Sequence, residues 1–128
     1  MSEKFTLEII SPDRQVIKIE TSEVIIPAYE GEIGILKDHI PLITFLRPGL
    51  IQIQGESDKK YFVEDGTVEF ANNNLLILTS TAMSIKDLET NQLSKLIDET
   101  QKKLSENLND KERYIFSHKL DVLKGINK

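Results

Sequence analysis

The chain of 128 residues has no cysteine, only two histidines, no excess of basic residues and no long apolar run. Without cysteine there is neither a disulfide framework nor a thiolate zinc site, which suits a reducing compartment. The histidines, His39 and His118, stand far apart in sequence, so a histidine-rich metal site is not expected. Sixteen Lys and Arg against 21 Asp and Glu give a net charge of -5 and a pI near 5.1. That balance argues against a nucleic-acid partner, because phosphate-backbone binding needs a basic face. No apolar stretch approaches the ~20 residues of a membrane-spanning helix. Met1-Ser-Glu-Lys-Phe-Thr-Leu-Glu enters a strand pattern at once, without the marks of a signal or transit peptide. A soluble intracellular protein, or a soluble part of something larger, is expected, without membrane insertion and long enough for one compact domain and an appendage or for two very small domains.

What is present is concentrated in Gly31 to Gln54, GEIGILKDHIPLITFLRPGLIQIQ. Gly31, Gly34 and Gly49 are expected to supply backbone angles that side chains resist, and Pro41 and Pro48 to fix φ at strand edges. Between them Ile40, Leu42, Ile43, Phe45 and Leu46 form a nearly unbroken apolar run, the pattern of a strand covered on both faces. After Pro48-Gly49, Ile51 and Ile53 alternate with Gln52 and Gln54, so that strand has one wet face. A loop of such defined shape, with no reactive group, suits docking better than chemistry.

The hydrophobic period changes near Ser84. Before it the period is close to two, as in Phe5-Thr-Leu-Glu-Ile, Val16-Ile-Lys-Ile and Val68-Glu-Phe, with turn signals at short intervals, among them Gly55 to Asp58 and Asn72-Asn73-Asn74. This predicts an all-β sandwich or barrel of short antiparallel strands over residues 1–84. Tyr61-Phe62-Val63, Asp65-Gly66 and Thr67 to Phe70 predict a tight hairpin. Residues 85–128 follow a helical period and predict an antiparallel two-helix hairpin. Asp87 is the expected N-cap of the first helix, whose stripe is Leu88, Leu93, Leu96, Ile97, Thr100 and Leu104. Asp110 is the expected cap of the second, which carries Ile115, Phe116, Leu120, Val122, Leu123 and Ile126 and ends near Gly125. Helices of this length depend on packing for stability, so the hairpin is expected to detach at a cost of only a few kcal/mol.

A search for chemistry returns nothing catalytic. Gly31-Glu-Ile-Gly34 has the spacing of a nucleic-acid-clamping loop, but it lies between strands and carries Glu30 and Glu32. His39 has no Ser or Cys nucleophile nearby and no third group to orient it. His118, flanked by Ser117 and Lys119, is expected to be solvated. No pair of carboxylates is set in an apolar pocket. The basic residues of the second helix, Lys111, Arg113, Lys119, Lys124 and Lys128, read either as a wet face or as a surface for an acidic partner. No cofactor and no metal are expected.

These residues meet a known pattern. Gly31-Glu-Ile-Gly-Ile-Leu, His39-Ile-Pro-Leu-Ile-Thr and Pro48-Gly49 resemble the GELGI…HAPLLT…KPG signature of the epsilon subunit of bacterial F-type ATP synthase, the homologue of the mitochondrial delta subunit. Thr81-Ala82-Met83 followed by Asp87-Leu88-Glu89 is similar to that family's junction between sandwich and hairpin, and the resemblance spans the chain in order. It implies an N-terminal all-β flattened sandwich of about ten short antiparallel strands with a C-terminal antiparallel two-helix hairpin. It further implies a non-catalytic rotor subunit of the central stalk, peripheral on the cytoplasmic face of the bacterial inner membrane, coupling proton flow to ATP synthesis. Implied partners are the gamma subunit, the ring of c subunits and, transiently, the alpha and beta subunits of the catalytic head. Tyr29, Glu30, Gly31, Glu32 and Ile33 would touch the c ring, His39 and Thr44 the gamma subunit, and Lys111, Arg113, Lys119 and Lys124 the head when the hairpin extends and restrains hydrolysis. Some relatives bind ATP in the folded hairpin through (I/L)DxxRxxRA. The matching stretch here has Leu88, then Glu89 for the Asp and Gln92 for the first Arg, with Lys95 at the second. Losing the guanidinium predicts no strong ATP binding, and the early end of the second helix shortens its reach by several ångströms, at ~1.5 Å per residue. The alternative, from another functional class, is an independent regulatory module that sequesters a partner protein through its hairpin.

Overall fold

A computed structural model describes residues 3–55 and 59–126. The chain divides into two compact units, Met1–Ile85 and Lys86–Lys128. The first unit holds β1 (Phe5–Ser11), β2 (Arg14–Thr21), β3 (Glu23–Ala28), β4 (Gly31–Leu36), β5 (Leu42–Leu46), β6 (Gly49–Gln54), β7 (Lys59–Val63), β8 (Gly66–Ala71), β9 (Asn74–Leu78) and β10 (Met83–Ser84). They hydrogen-bond in the order β10-β7-β6-β3-β5-β8-β9-β1-β2, with β4 alongside β3. Pairing is antiparallel except between β1 and β9, which run parallel. β3 and β5 meet only at Ala28 opposite Leu46, where the sheet folds over into a curled sandwich.

The period of two places the core. Phe5, Leu7 and Ile9 of β1 point inward, as do Val24 and Ile26 of β3, Ile51 and Ile53 of β6, Val68 and Phe70 of β8, and Leu75 and Ile77 of β9. Phe5 and Phe70 meet edge to face at the centre, with ring centroids 5.7 Å apart. The Pro48-Gly49 corner works by close approach rather than by unusual angles. A Cβ on Gly49 would lie 2.5 Å from the Cβ of Pro27, so only glycine lets β6 start there. Of the three glycines expected to supply unusual angles, only Gly31 has a positive φ, 134°.

Two strand expectations are corrected. The 40–46 run is covered on one face only: Leu42 and Leu46 face inward, while Ile43 is 77% and Phe45 59% exposed. An apolar run carries no period of its own, so its sequence cannot distinguish a doubly covered strand from one with an apolar face left for another molecule. The second correction concerns Tyr61 to Phe70, which is not a hairpin. β7 pairs with β6 and β10, whereas β8 pairs with β5 and β9. The link between them is anchored to the segment after β9. Thr79 Oγ1 donates to the Asp65 carbonyl at 2.7 Å, and the Thr81 hydroxyl accepts the Glu64 N–H at 3.0 Å. Gly66 opens β8 at φ 150°, where a Cβ would lie 2.6 Å from the Leu78 carbonyl oxygen, so only glycine fits there.

The second unit holds α1 (Thr90–Leu104) and α2 (Asp110–Lys124) as a helical hairpin. Both expected caps shift. Glu89, not Asp87, caps α1, because Gln92 Oε1 accepts the Glu89 N–H at 2.9 Å. Asn109, not Asp110, caps α2, exchanging bonds with Glu112: Asn109 Oδ1 accepts the Glu112 N–H at 2.8 Å, and Glu112 Oε1 lies 3.3 Å from the Asn109 N. In each case a side chain three residues on selects the cap. Leu88 and Ile126 therefore lie outside the helices they were expected to join. Leu93, Thr100 and Leu123 are buried, and the Thr100 hydroxyl is satisfied by the Leu96 carbonyl at 2.8 Å. His118, expected to be solvated, is half-buried. Lys128 and positions 56–58 of the expected Gly55-to-Asp58 turn signal lie outside the described residues.

Candidate docking surfaces

The Tyr29–Ile33 segment is made of the turn between β3 and β4, Tyr29–Glu30, and the first three residues of β4. Tyr29 and Glu30 are exposed at its tip, and the Tyr29 N–H donates to the Phe45 carbonyl at 2.9 Å. The Arg47 N–H donates in turn to the Pro27 carbonyl at 3.0 Å, so both ends of the β3–β5 contact are fastened. Glu32 is exposed opposite Pro27, with Gln52 Nε2 3.5 Å from its carboxylate. Ile33 packs against the core instead of joining the exposed group. Tyr29, Glu30 and Glu32 thus form a stiff, acidic, partly aromatic tip.

His39 lies in the loop between β4 and β5. Its ring stands edge-on to Phe70, centroids 5.9 Å apart, and Nδ1 lies 2.7 Å from the Ile40 carbonyl oxygen. Thr44 is half-buried on the inward face of β5, opposite Val68. The structure sets other side chains outward beside these two. Ile40 is 74% exposed, and Leu36, Ile43, Phe45 and Leu78 are also exposed. Register makes this a continuous surface: Phe45 lies opposite Thr67, Thr67 opposite Leu78, and Leu78 beside Ile10 across the sheet. Against that row, under Tyr29, is an open apolar cavity of about 650 Å³. Sequence reasoning missed these residues. The signal available was the wet face of β8, Thr67 and Glu69: its neighbour β5 presents Phe45 and Ile43 to the same side. Among the described residues no group of His, Asp or Glu could hold a metal.

On the hairpin, the four basic residues do not form one face. At ~100° per residue, Arg113 and Lys124 share a side of α2, and Lys111 and Lys119 share another. Arg113 is engaged within the hairpin: Nη1 donates to the Leu104 carbonyl at 3.2 Å and Nη2 to that of Glu106 at 3.4 Å, covering the open C-terminal end of α1. Lys119 borders a cavity of about 340 Å³ together with Lys102 and Lys103. Gln92 closes the α1 cap and Leu88 is buried, so both are committed to the fold. No helix among the described residues is long and apolar enough to cross a membrane.

A family profile described as "ATP synthase, Delta/Epsilon chain, beta-sandwich domain" matches residues 4–85. An ATP synthase epsilon chain of Pelagibacter ubique is 45% identical over 130 residues, covering 99% of this chain and 100% of its own. One from Parvibaculum lavamentivorans is 32% identical over 128 residues, with 98% and 97% covered. Among solved structures, a chain of the Euglena gracilis mitochondrial ATP synthase OSCP/F1/c-ring assembly has a TM-score of 0.75 at 20% identity, covering 94% of this chain and 78% of its own. One from the Tetrahymena thermophila mitochondrial ATP synthase central stalk and c ring has a TM-score of 0.70 at 14% identity, with 96% of both covered. These two likenesses concern the fold. An exposed apolar sheet face, a stiff acidic turn and a helical hairpin, with matches of this length, lead to one conclusion: the chain belongs to the delta/epsilon chain family of ATP synthases.

Proposed function

We propose that the chain is a non-catalytic rotor subunit of a proton-translocating F-type ATP synthase, held in the central stalk at the cytoplasmic face of a bacterial inner membrane. The observation that carries this reading is the apolar outer surface of β5, β9 and β1, with Ile43 77% and Phe45 59% exposed. A face of that kind, crossed by Thr67 and Glu69 of the intervening β8, marks a protein interface. We assign it to the gamma subunit, with His39 at its margin and Thr44 behind it on the inward face of β5. Tyr29, Glu30, Gly31 and Glu32 then meet the polar loops of the c ring, where exposed carboxylates set register more than affinity. Ile33 supports that turn from below. A coupling element must transmit torque without yielding, and the fastening of the 29–33 turn to Phe45 and of Arg47 to Pro27 supplies stiffness there.

The hairpin is the proposed regulatory part. In its compact form Arg113 covers the end of α1, and opening the hairpin frees that guanidinium, along with Lys111, Lys119 and Lys124, for the acidic surfaces of the catalytic head. With Gln92 and Glu89 bound up in the α1 cap, we assign no nucleotide site to it. Solubilising membranes in mild detergent and purifying through a tagged copy of this chain tests the whole reading. The gamma subunit and c ring should co-purify; a chain recovered alone from the cytosol would favour the independent regulatory module. Deleting residues 87–128 tests regulation separately, because unchanged membrane ATP hydrolysis would exclude an inhibitory hairpin.

A further inference from the structure

We propose that Asp38 and Asn73 are positioning residues that lock the 37–41 loop, with its exposed Ile40, into the shape the gamma subunit receives. The inference rests on the docking reading above. Among the described residues three non-glycine positions have a left-handed backbone: Asp38 at φ 68°, Asn72 at 52° and Asn73 at 59°. All three belong to one junction. The Asp38 N–H donates to Asn73 Oδ1 at 2.7 Å, and Asn73 Nδ2 donates to Asp38 Oδ1 at 3.0 Å. The two side chains therefore hold the loop between β4 and β5 against the turn between β8 and β9, 35 residues further along the chain. That turn is itself fixed, because the Asn73 carbonyl accepts the Thr6 N–H of β1 at 3.1 Å.

The loop is secured on both sides of Asp38. Lys37 Nζ lies 3.8 Å from Glu3 Oε1, the His39 N–H donates to the Leu36 carbonyl at 3.1 Å, and the His39 ring rests edge-on against Phe70. The product of these restraints is a single large apolar side chain, Ile40, held 74% exposed. Left-handed backbone costs free energy outside glycine, and Asp and Asn are the side chains that bear it best. At Asn72 and Asn73 it is the ordinary geometry of a two-residue hairpin turn; at Asp38 the strain persists because the surroundings over-determine it, as at working positions. A core needs no such device to expose an isoleucine. A docking knob does, because a loop already in its bound shape pays no ordering cost when the partner arrives.

The test uses the full chain titrated against purified gamma subunit, with association kinetics, melting temperature and amide exchange measured on each variant. Asn73→Gly keeps the left-handed backbone accessible and removes both bonds of the clamp. It should speed exchange of the Asp38 amide while exchange in β1, β8 and β9 stays slow, and weaken gamma binding by roughly tenfold, mainly through slower association. Asp38→Asn preserves the Oδ1 acceptor and should bind within about twofold of wild type. Thr81→Val, which removes a hydroxyl bonded to the Glu64 N–H away from the loop, serves as a stability control and should leave binding unchanged. Should Asn73→Gly fold poorly, Asp38→Gly removes one bond of the pair and should give a smaller loss of the same kind. Wild-type affinity in the glycine variants, or an Asp38 amide that exchanges no faster in Asn73→Gly, would overturn the clamp. Wild-type chain that fails to bind gamma overturns the docking reading itself, and the clamp's role with it.

Discussion

Ile43→Lys separates fold from docking at a single position. Ile43 is 77% exposed and stands opposite Glu69 on β8. If the 40–46 run were covered on both faces, a charge here would be buried without a partner and would cost several kcal/mol. In the observed register the lysine reaches solvent and faces a carboxylate across the strand pair, a gain of about 0.2–1 kcal/mol that offsets the poorer strand preference of lysine. The isolated chain should therefore unfold within about 0.5 kcal/mol of wild type in urea, the range of a surface substitution. Binding should behave differently. An ammonium forced into an apolar contact loses hydration that the neighbouring Glu69 carboxylate, desolvated with it, only partly restores, so affinity for gamma should fall by at least about 2 kcal/mol, some thirtyfold in Kd. Denaturation curves and calorimetric titration on the same preparation give both numbers. A destabilisation above about 2 kcal/mol would refute the one-sided burial of β5, and normal gamma binding would refute the assignment of its outer face.

Three further outcomes follow from local geometry. Gly49→Ala sets a methyl 2.5 Å from the buried Pro27 ring and should cost about 1–3 kcal/mol, visible as a melting temperature lowered by several degrees, whereas Gly34→Ala, with only the Glu23 carboxylate 3.5 Å away, should melt near wild type. Asn109→Ala removes the α2 cap and should cost about 1 kcal/mol and helical signal by circular dichroism, while Asp110→Ala should cost clearly less. Isothermal titration with ATP should give no micromolar binding, and micromolar affinity would overturn the commitment of Gln92 and Glu89 to the helix cap.

The parts of the fold legible in sequence were those where a local pattern and the global structure agree. Phe5-Thr-Leu-Glu-Ile alternates and becomes β1, with Phe5, Leu7 and Ile9 in the core. The apolar steps of α1 and α2 likewise become helices, but their caps moved by one or two residues because Gln92 and Glu112 reach back and choose them. Asp65-Gly66 misled because a dipeptide reports a turn and not which strands flank it. The decision was made by Thr79 and Thr81, whose hydroxyls bind the link from beyond β9. The docking surface was the least legible. Resemblance pointed to residues 29–33, His39 and Thr44, but the exposed side chains next to Thr44 are Ile43 and Phe45. An isoleucine on a partner-facing surface and one in a core are the same letter, and only register tells them apart.

The parallel pairing of β1 with β9 carries a consequence for synthesis. Leu7 is matched to Leu75 and Ile9 to Ile77, so β1 keeps one flank open until β9 has been made. Its other flank is served early by β2, through a short turn. The β1–β2 ribbon therefore exists as a half-finished piece with apolar Leu7 and Ile9 uncovered while β3 to β8 emerge. Two-stranded ribbons are marginal in water, and long-range strand pairing is slow. Nascent chains stopped before Leu75 should be caught by chaperones, and those extended past Leu78 should become protease-resistant in one step.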